Sequence, residues 1–471
     1  MLLSTRTGSS ALRVVAYAME EPTVAAGPAH AEPTYSRGRH AAAAAFSLGN
    51  AMNAVLWICF SPVAAATARR YAVSIGDVNQ LSLLYLYLYA PGCLLSGYVM
   101  QRYGLRANVA MGAVLNTACG WLRFAATARG AGFGLLAVGQ AFGALAQPAF
   151  LNAPARLAAD WFPAREREHV IVWTAVSNII GNAIGSAVPG LAVSKTSEGR
   201  NLDDSLLYQA VACTGLLALT LASLARPLGS TAVAVQSARV SDASALRNVL
   251  RDALLLLRNG NYMSLCVAFA IGIGLFNALL TLVAQLLSPC GYGPDVASYT
   301  GGALLVTGLI TAGLAGVCMT RAPHAAVLLQ KALVLLLLMA LVGMLACLRR
   351  GALAPLVVTW GALGGALIPL LPVSLENAAA VAHPVSPDAA AGVMLLAGQF
   401  AGIAYIYAIP PLLALPRSAN CSSVASPAAA FLLANMLVAV AVISLLKYDD
   451  RRLKEQDDQQ PAAELADAAA A

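Results

Sequence analysis

The chain has 471 residues, 59% of them hydrophobic and 11% charged, with a formal net charge of +7. A soluble globular chain carries roughly 25% charged residues, so this one cannot cover a water-exposed surface. A cytosolic multidomain enzyme, a coiled coil and an extended disordered chain are excluded, and a polytopic membrane protein remains.

A helix needs about 20 mostly apolar residues to cross the hydrocarbon core. In lipid each backbone N–H and C=O must be satisfied within its own segment, which makes the expected fold all-α. Residues 1–42, with Arg6, Arg13, several serines and Pro22, Pro28 and Pro33, read as a disordered cytoplasmic tail. Six spans follow at about 43–66, 78–100, 107–127, 131–155, 169–194 and 205–226, an N-terminal six-helix bundle over 43–226. Residues 227–260 form a cytoplasmic central loop. Its second part, 244–257, reads as an amphipathic helix on the inner leaflet, with Arg247, Arg251 and Arg258 on the polar side. Spans at about 261–287, 296–319, 323–347, 352–378, 389–415 and 424–447 complete a C-terminal six-helix bundle over 261–447, and 448–471 is an acidic cytoplasmic tail.

Twelve spans put both termini on one side. With the termini inside, inner segments hold nineteen Lys and Arg; outer loops and adjoining helix ends hold nine, Arg123 among them, and Lys331 lies within span 9. That bias makes both termini cytoplasmic. The sequon Asn420-Cys421-Ser422 falls on an outer loop, in agreement. The expected location is the plasma membrane, with an endolysosomal or mitochondrial membrane as alternatives. The positive charge sits in short loops, a topology signal rather than a nucleic-acid surface. The nine cysteines are scattered, with no C-x-x-C pair, and read as small hydrophobes. No metal site and no cofactor are expected.

Between spans 2 and 3 stands Gly97-Tyr-Val-Met-Gln101-Arg102-Tyr-Gly104-Leu-Arg106, and Gly316-Val-Cys-Met-Thr320-Arg321 echoes it 219 residues later between spans 8 and 9. This resembles the inner-loop pattern G-x-x-x-D-R-x-G-x-R of the major facilitator superfamily. The resemblance implies that fold, two six-helix bundles, with Gly97, Arg102, Gly104 and Arg106 as the inner-loop gating residues. The glycines are expected to allow close helix approach and the arginines to meet helix ends and headgroups. Gln101 stands where an acid is usual, which weakens the charged latch between the halves.

Three stretches resemble a narrower group, the feline leukaemia virus subgroup C receptor-related transporters. The first comprises Asn53-Ala-Val-Leu-Trp57, Gln80-Leu-Ser-Leu-Leu-Tyr85, Tyr103-Gly-Leu-Arg106, Leu115-Asn116 and Gly120-Trp121-Leu-Arg123. The second runs from Gly139-Gln140 through Ala146-Gln147 to Pro154-Ala-Arg156-Leu-Ala-Ala-Asp160-Trp161-Phe162, with Ser177-Asn178 and Gly181. The third runs from Glu376 through Pro384-Val-Ser386 to Gly392 and Gln399. The resemblance implies a facilitative carrier of choline, ethanolamine or haem.

A polar residue in hydrocarbon is a functional candidate by default. Asn50, Asn53 and Trp57 form one helical stripe in span 1, and Gln140 and Gln147 share a face of span 4. Span 7 offers Phe276, Asn277 and Gln285, span 10 Glu376 and Asn377, and span 11 Gln399. An indole face attracts a quaternary ammonium by about 0.5–2 kcal/mol, which singles out Trp57. The family resemblance implies a Trp at that position and a span-7 Tyr as cage walls; here Asn277, beside Phe276, stands at the span-7 position. Gln147 and Gln399 match the family's polar ligands. The expected substrate site is therefore Asn53, Trp57, Gln147, Phe276, Asn277, Glu376 and Gln399.

Haem wants His, Tyr, Cys or Met ligands and cations for its propionates. The five histidines fall in tails, loops or helix ends, so the residues favour a small organic cation, and haem stays open through the resemblance. Glu376 leaves open a proton-coupled symporter, and a transporter-like receptor is a third reading. The chain has no G-x-S-x-G, H-E-x-x-H or G-x-x-x-x-G-K-[ST] motif; it reads as a monomeric carrier and not an enzyme.

Overall fold

The computed structural model describes residues 38–128, 132–193, 198–225, 254–322, 325–382, 387–415 and 426–446, with 251 and 385 besides. Among these, twelve helices are long and apolar enough to cross a bilayer: Gly38–Ile58, Ile75–Met100, Arg102–Thr127, Gly132–Leu151, His169–Ala192, Asn201–Leu224, Gly260–Cys290, Pro294–Met319, Ala326–Cys347, Leu353–Val381, Ala389–Leu413 and Pro427–Ser444. They keep the numbers of the expected spans and form two six-helix bundles. Twelve crossings return the chain to the side where it began. The first helix starts at Gly38, inside the expected tail. Of the expected amphipathic segment only 251 and 254–257 are described, and they are helical. The rest of that segment, the sequon and residues 448–471 lie outside the described residues.

Local chemistry explains the ends. Ser74 and Asp77 form a capping box at span 2: Ser74 Oγ accepts from the Asp77 N–H at 3.1 Å, and Asp77 Oδ2 accepts from the Ser74 N–H at 2.9 Å. Asn259 caps span 7 by accepting from the N–H groups of Asn261 and Tyr262, both at 3.1 Å.

Span 1 departs from expectation. It stops at Ile58 rather than near 66, and the chain resumes as a short helix, Ala64–Tyr71. Pro62 has no N–H for the Ile58 carbonyl; the Ser61 N–H takes that carbonyl instead, at 2.9 Å. Span 4 likewise ends at Leu151, and Pro154 opens a separate helix, Pro154–Trp161, in the first-turn position that proline favours. Between spans 2 and 3 the helix breaks at Gly104 alone, whose φ of 84° lies in the left-handed region.

Spans 1, 4, 7 and 10 are the most enclosed, with 50–78% of their apolar windows buried against 22–44% for the other eight. The first helix of each three-helix repeat is thus the central one. Helices touch backbone to backbone where glycine permits. A Cβ on Gly181 of span 5 would run into the Ala51 carbonyl oxygen, and one on Gly364 of span 10 into that of Leu304.

The halves meet at the end remote from Gly38 and Leu446. There Ser61 Oγ donates to the carbonyl oxygens of Leu280 and Thr281, the latter at 2.8 Å. Asn79 and Gln285 exchange amide hydrogen bonds at 2.7 and 3.4 Å, and the Tyr407 hydroxyl meets Tyr87 at 2.7 Å and Gln80 at 3.1 Å. Trp57, Leu83 and Leu86 share one apolar cluster with Phe269, Leu275 and Leu279 of the other half. These hydrogen bonds and this cluster join the halves at that end, so the carrier is closed there.

Candidate substrate site

Buried amides divide into those that hold helices together and those that hold nothing. Asn53, fully buried, donates to Asn116 Oδ1 and to the Gly143 carbonyl, each at 2.8 Å. It ties span 1 to spans 3 and 4, and only its Oδ1 has no partner. Asn50 donates to the Thr174 carbonyl at 2.8 Å and accepts from Asn178 at 3.1 Å, a clasp onto span 5. Gln140 donates to the Leu56 carbonyl at 3.0 Å. Asn377 donates to the Ala326 carbonyl at 3.1 Å, and Gln285 is spent on Asn79.

Gln147, Asn277 and Gln399 are different. Gln147 Oε1 and Asn277 Nδ2 are buried without a partner, and Gln399, half-buried, makes no hydrogen bond among the described residues. Leaving an amide unpaired in an apolar setting costs roughly 2–7 kcal/mol by transfer measures. Gln147 Oε1 and Asn277 Nδ2 therefore stand ready for something the protein does not supply, and the half-exposed Gln399 amide is free to join them.

Spans 7 and 11 run side by side. Cβ atoms built on Gly398 and Gly402 would each lie 2.9 Å from the facing side chain, Ile273 Cγ2 and Asn277 Nδ2. That register places Gln399 beside the Asn277 level of the C-terminal half, whereas Gln147 comes from the N-terminal half, one helical turn beyond Gly143.

Trp57 lies in the last turn of span 1, 6% exposed. Its Nε1 donates to the Ser82 carbonyl at 3.3 Å, and its ring faces Tyr85 at 6.4 Å with a 43° tilt. The aromatic neighbour thus comes from span 2. Tyr85 is itself buried with an unpartnered hydroxyl. Phe276 is half-buried against the apolar cluster. Glu376 is exposed at the terminal-side end of span 10, one residue before the buried Asn377. Trp57, through the shared cluster, and Asn277, beside Leu86 and Gly402, thus lie at the seam, while Glu376 is exposed at the terminal-side end of span 10.

The inner-loop residues do less than their pattern implies. A Cβ on Gly97 would meet nothing within 4 Å, so that glycine is not there for close helix approach, and Gly104 serves the turn. Arg102 is exposed. Arg106 donates to the Leu224 carbonyl at 3.4 Å, a cation on the C-terminal end of span 6.

Two expectations need correction. Arg123 is no outer-loop cation: it is 0% exposed within span 3. Spacing alone did not reveal this, since Arg123 stands near the end of an apolar run, where an arginine ordinarily reaches water. Cys290, read as a small hydrophobe, is disulfide-bonded; seven of the other cysteines are free.

At the closed end Arg70, outside the spans, pairs with Asp203 in the first turn of span 6 at 3.1 Å. The hydrogen bond and charge of Asp203 raise the Arg70 pKa, and burial pushes the neighbouring Tyr71 up to about 12.

A family model of the Major Facilitator Superfamily matches residues 46–409. The chain is 29% identical over 373 residues to solute carrier family 49 member A3 of Danio rerio, covering 77% of this chain and 76% of that protein. It is 26% identical over 382 residues to the choline/ethanolamine transporter FLVCR2 of Homo sapiens, covering 79% and 71%. Among solved structures, a D-xylose-proton symporter shares the fold with a TM-score of 0.66 at 14% identity, covering 86% of this chain and 97% of that one.

Proposed function

This chain belongs to the Major Facilitator Superfamily, and from that premise we propose that it carries a small organic cation of the choline or ethanolamine type by facilitated alternating access. It is a multi-pass membrane transporter and not an enzyme. The observation that carries the substrate reading is the set of unpartnered amides, Gln147 from one half and Asn277 and Gln399 from the other, on the terminal side of the buried Trp57 indole. A quaternary ammonium needs no counter-anion to sit on Trp57, because the ring quadrupole attracts it. The substrate hydroxyl or amine then satisfies amides that the fold leaves unpaired. The name of the relative at 26% identity agrees with this chemistry. A porphyrin would need axial ligands and cations that the amides and indole do not offer.

In this reading the termini are cytoplasmic and the closed end faces outward, so the site opens inward. The excess of Lys and Arg on the terminal side supports that orientation. So does the disulfide-bonded Cys290 at the opposite end, since disulfides persist on oxidising faces. Reopening outward breaks the hydrogen bonds of Ser61, Asn79 and Tyr407.

The test is parallel flux of labelled choline, ethanolamine and haem into proteoliposomes, with and without a pH gradient. Choline and ethanolamine move down their gradients irrespective of pH, and Trp57→Ala abolishes that flux while leaving the amount of folded protein unchanged. Undiminished choline flux in Trp57→Ala would refute the cation reading. Flux driven by the pH gradient and lost in Glu376→Gln would replace it with proton symport.

A further inference from the structure

We propose that Arg123 and Gln140 are positioning residues that hold Trp57 in its binding orientation by capping the broken end of span 1, an inference that rests on the reading of Trp57 as the cation wall. The geometry begins with Pro62. At the break the Cys59 N–H bonds the Val55 carbonyl at 3.1 Å and the Ser61 N–H bonds the Ile58 carbonyl at 2.9 Å. Among the described residues no backbone N–H reaches the carbonyls of Leu56 and Trp57, the last turn of a helix deep in an apolar bundle. Side chains take them instead. Gln140 Nε2 donates to Leu56 at 3.0 Å and to Trp57 at 3.5 Å, and Arg123 Nη1 donates to Leu56 at 3.1 Å.

The environment of Arg123 has no other ready explanation. It is fully buried, and among the described residues its acceptors are neutral: Cys59 Sγ at 2.8 Å, Cys119 Sγ at 3.7 Å, Gln209 Oε1 at 3.1 Å and the Leu56 carbonyl. The Phe60 ring lies beneath its guanidinium carbon at 4.6 Å. The negative end of the span 1 helix dipole is the electrostatic partner that a buried guanidinium needs. Arg123 contacts the residues on both sides of Trp57, namely Leu56 and Cys59–Phe60, so it fixes the backbone that carries the indole. Beyond the break the same segment delivers Ser61 to the Leu280 and Thr281 carbonyls of the other half. The clamp therefore joins the candidate binding wall to the outer latch. It also gives a purpose to two motifs, Gly120-Trp121-Leu-Arg123 and Gly139-Gln140, that the substrate site does not use.

The test uses purified full-length protein carrying Arg123→Lys or Gln140→Leu, each with Trp57 intact and with Trp57→Phe. The emission of Trp57 is the difference between each protein and its Trp57→Phe counterpart. With the clamp weakened, that emission shifts to the red and acrylamide quenches it more strongly. Choline Kd rises about two- to thirtyfold, the range spanned by a cation–π contact. In the Trp57→Phe background the same substitutions add no further change in Kd. Unchanged Trp57 emission and quenching in both folded variants would overturn the proposal without any reference to substrate, as would an equal rise in Kd in the Trp57→Phe background. If Trp57→Phe alone leaves choline binding intact while the emission still shifts, the substrate reading fails and the clamp stands. Gln140→Leu keeps the test open should Arg123→Lys fail to fold.

Discussion

Substituting Gln285 by Ala opens the closed end. Gln285 and Asn79 exchange two hydrogen bonds across the seam, at 2.7 and 3.4 Å, and Asn79 is 5% exposed. Removing Gln285 leaves that buried amide without a partner, at a cost of about 1–3 kcal/mol that vanishes once water reaches it in the open state. The ratio of outward-open to closed carriers then rises roughly 5- to 150-fold. Leu86→Cys provides the probe, because Leu86 is buried against Gly402 beneath the latch. An impermeant maleimide on intact cells should label the Leu86→Cys, Gln285→Ala protein at least about fivefold faster than Leu86→Cys alone. Replacing both partners with Leu removes the orphaned amide, so Asn79→Leu with Gln285→Leu should bring labelling back toward the parent rate. A change of less than about twofold for Gln285→Ala, or a double variant that labels as fast as the single one, would refute the role of the pair.

Glycine substitutions should separate packing from pattern. Gly181→Ala and Gly364→Ala push a methyl into facing backbone and should lower thermal stability by about 1–3 kcal/mol, whereas Gly97→Ala, with open space around it, should leave the melting temperature unchanged. Glu376→Gln should raise KM for a cation entering from the terminal side about two- to fivefold at low salt, with kcat unchanged and the difference fading as salt is added; a KM independent of salt would dissociate Glu376 from substrate attraction. Burial of Tyr71 favours its neutral phenol, raising its pKa from 10.0 to about 12. Its stabilisation is thus complete below pH 10 and is lost as pH climbs toward 12. Thermal melts should be flat to about pH 10 and then fall, and Tyr71→Phe should flatten the upper limb.

Much of the architecture is legible because hydrocarbon demands it. A run of about 20 apolar residues has few alternatives to a spanning helix, so twelve spans, their order and the six-plus-six division follow from composition along the chain. Ends were less legible where proline acts at a distance. Pro62 ends span 1 four residues upstream, and Pro154 converts the tail of span 4 into a separate helix. Polar residues were legible as a set but not in their roles. Asn53 and Asn277 look alike in sequence, each an amide in a central helix. Only packing shows that Asn53 meets Asn116 and Gly143 while the amide nitrogen of Asn277 meets nothing. Arg123 was illegible for a related reason. Its acceptors come from spans 1 and 6, so the environment that buries it exists only after those helices assemble.

The chemistry of the seam bears on the transport cycle. The ion pairs Arg39–Glu166, Arg70–Asp203 and Arg156–Asp160 all lie within the N-terminal half. At the closed end the hydrogen bonds across the seam are made by hydroxyl, amide and phenol groups. An alternating carrier without an energy source needs its two faces nearly equal in free energy, or it rests in one state and turns over slowly. A neutral hydrogen bond contributes about 0.5–1.5 kcal/mol net, because water replaces the lost partner when the latch opens. An ion pair in the same place would add Coulombic attraction that acts only while the halves are together, and such a pair would bias the cycle toward the closed state and make it sensitive to pH and salt. Substituting Asn79→Asp and Gln285→Lys should therefore hold the outer end shut and slow net flux while raising the pH dependence of exchange. If that charged pair leaves flux unchanged, the closed end is not the barrier that the cycle must cross.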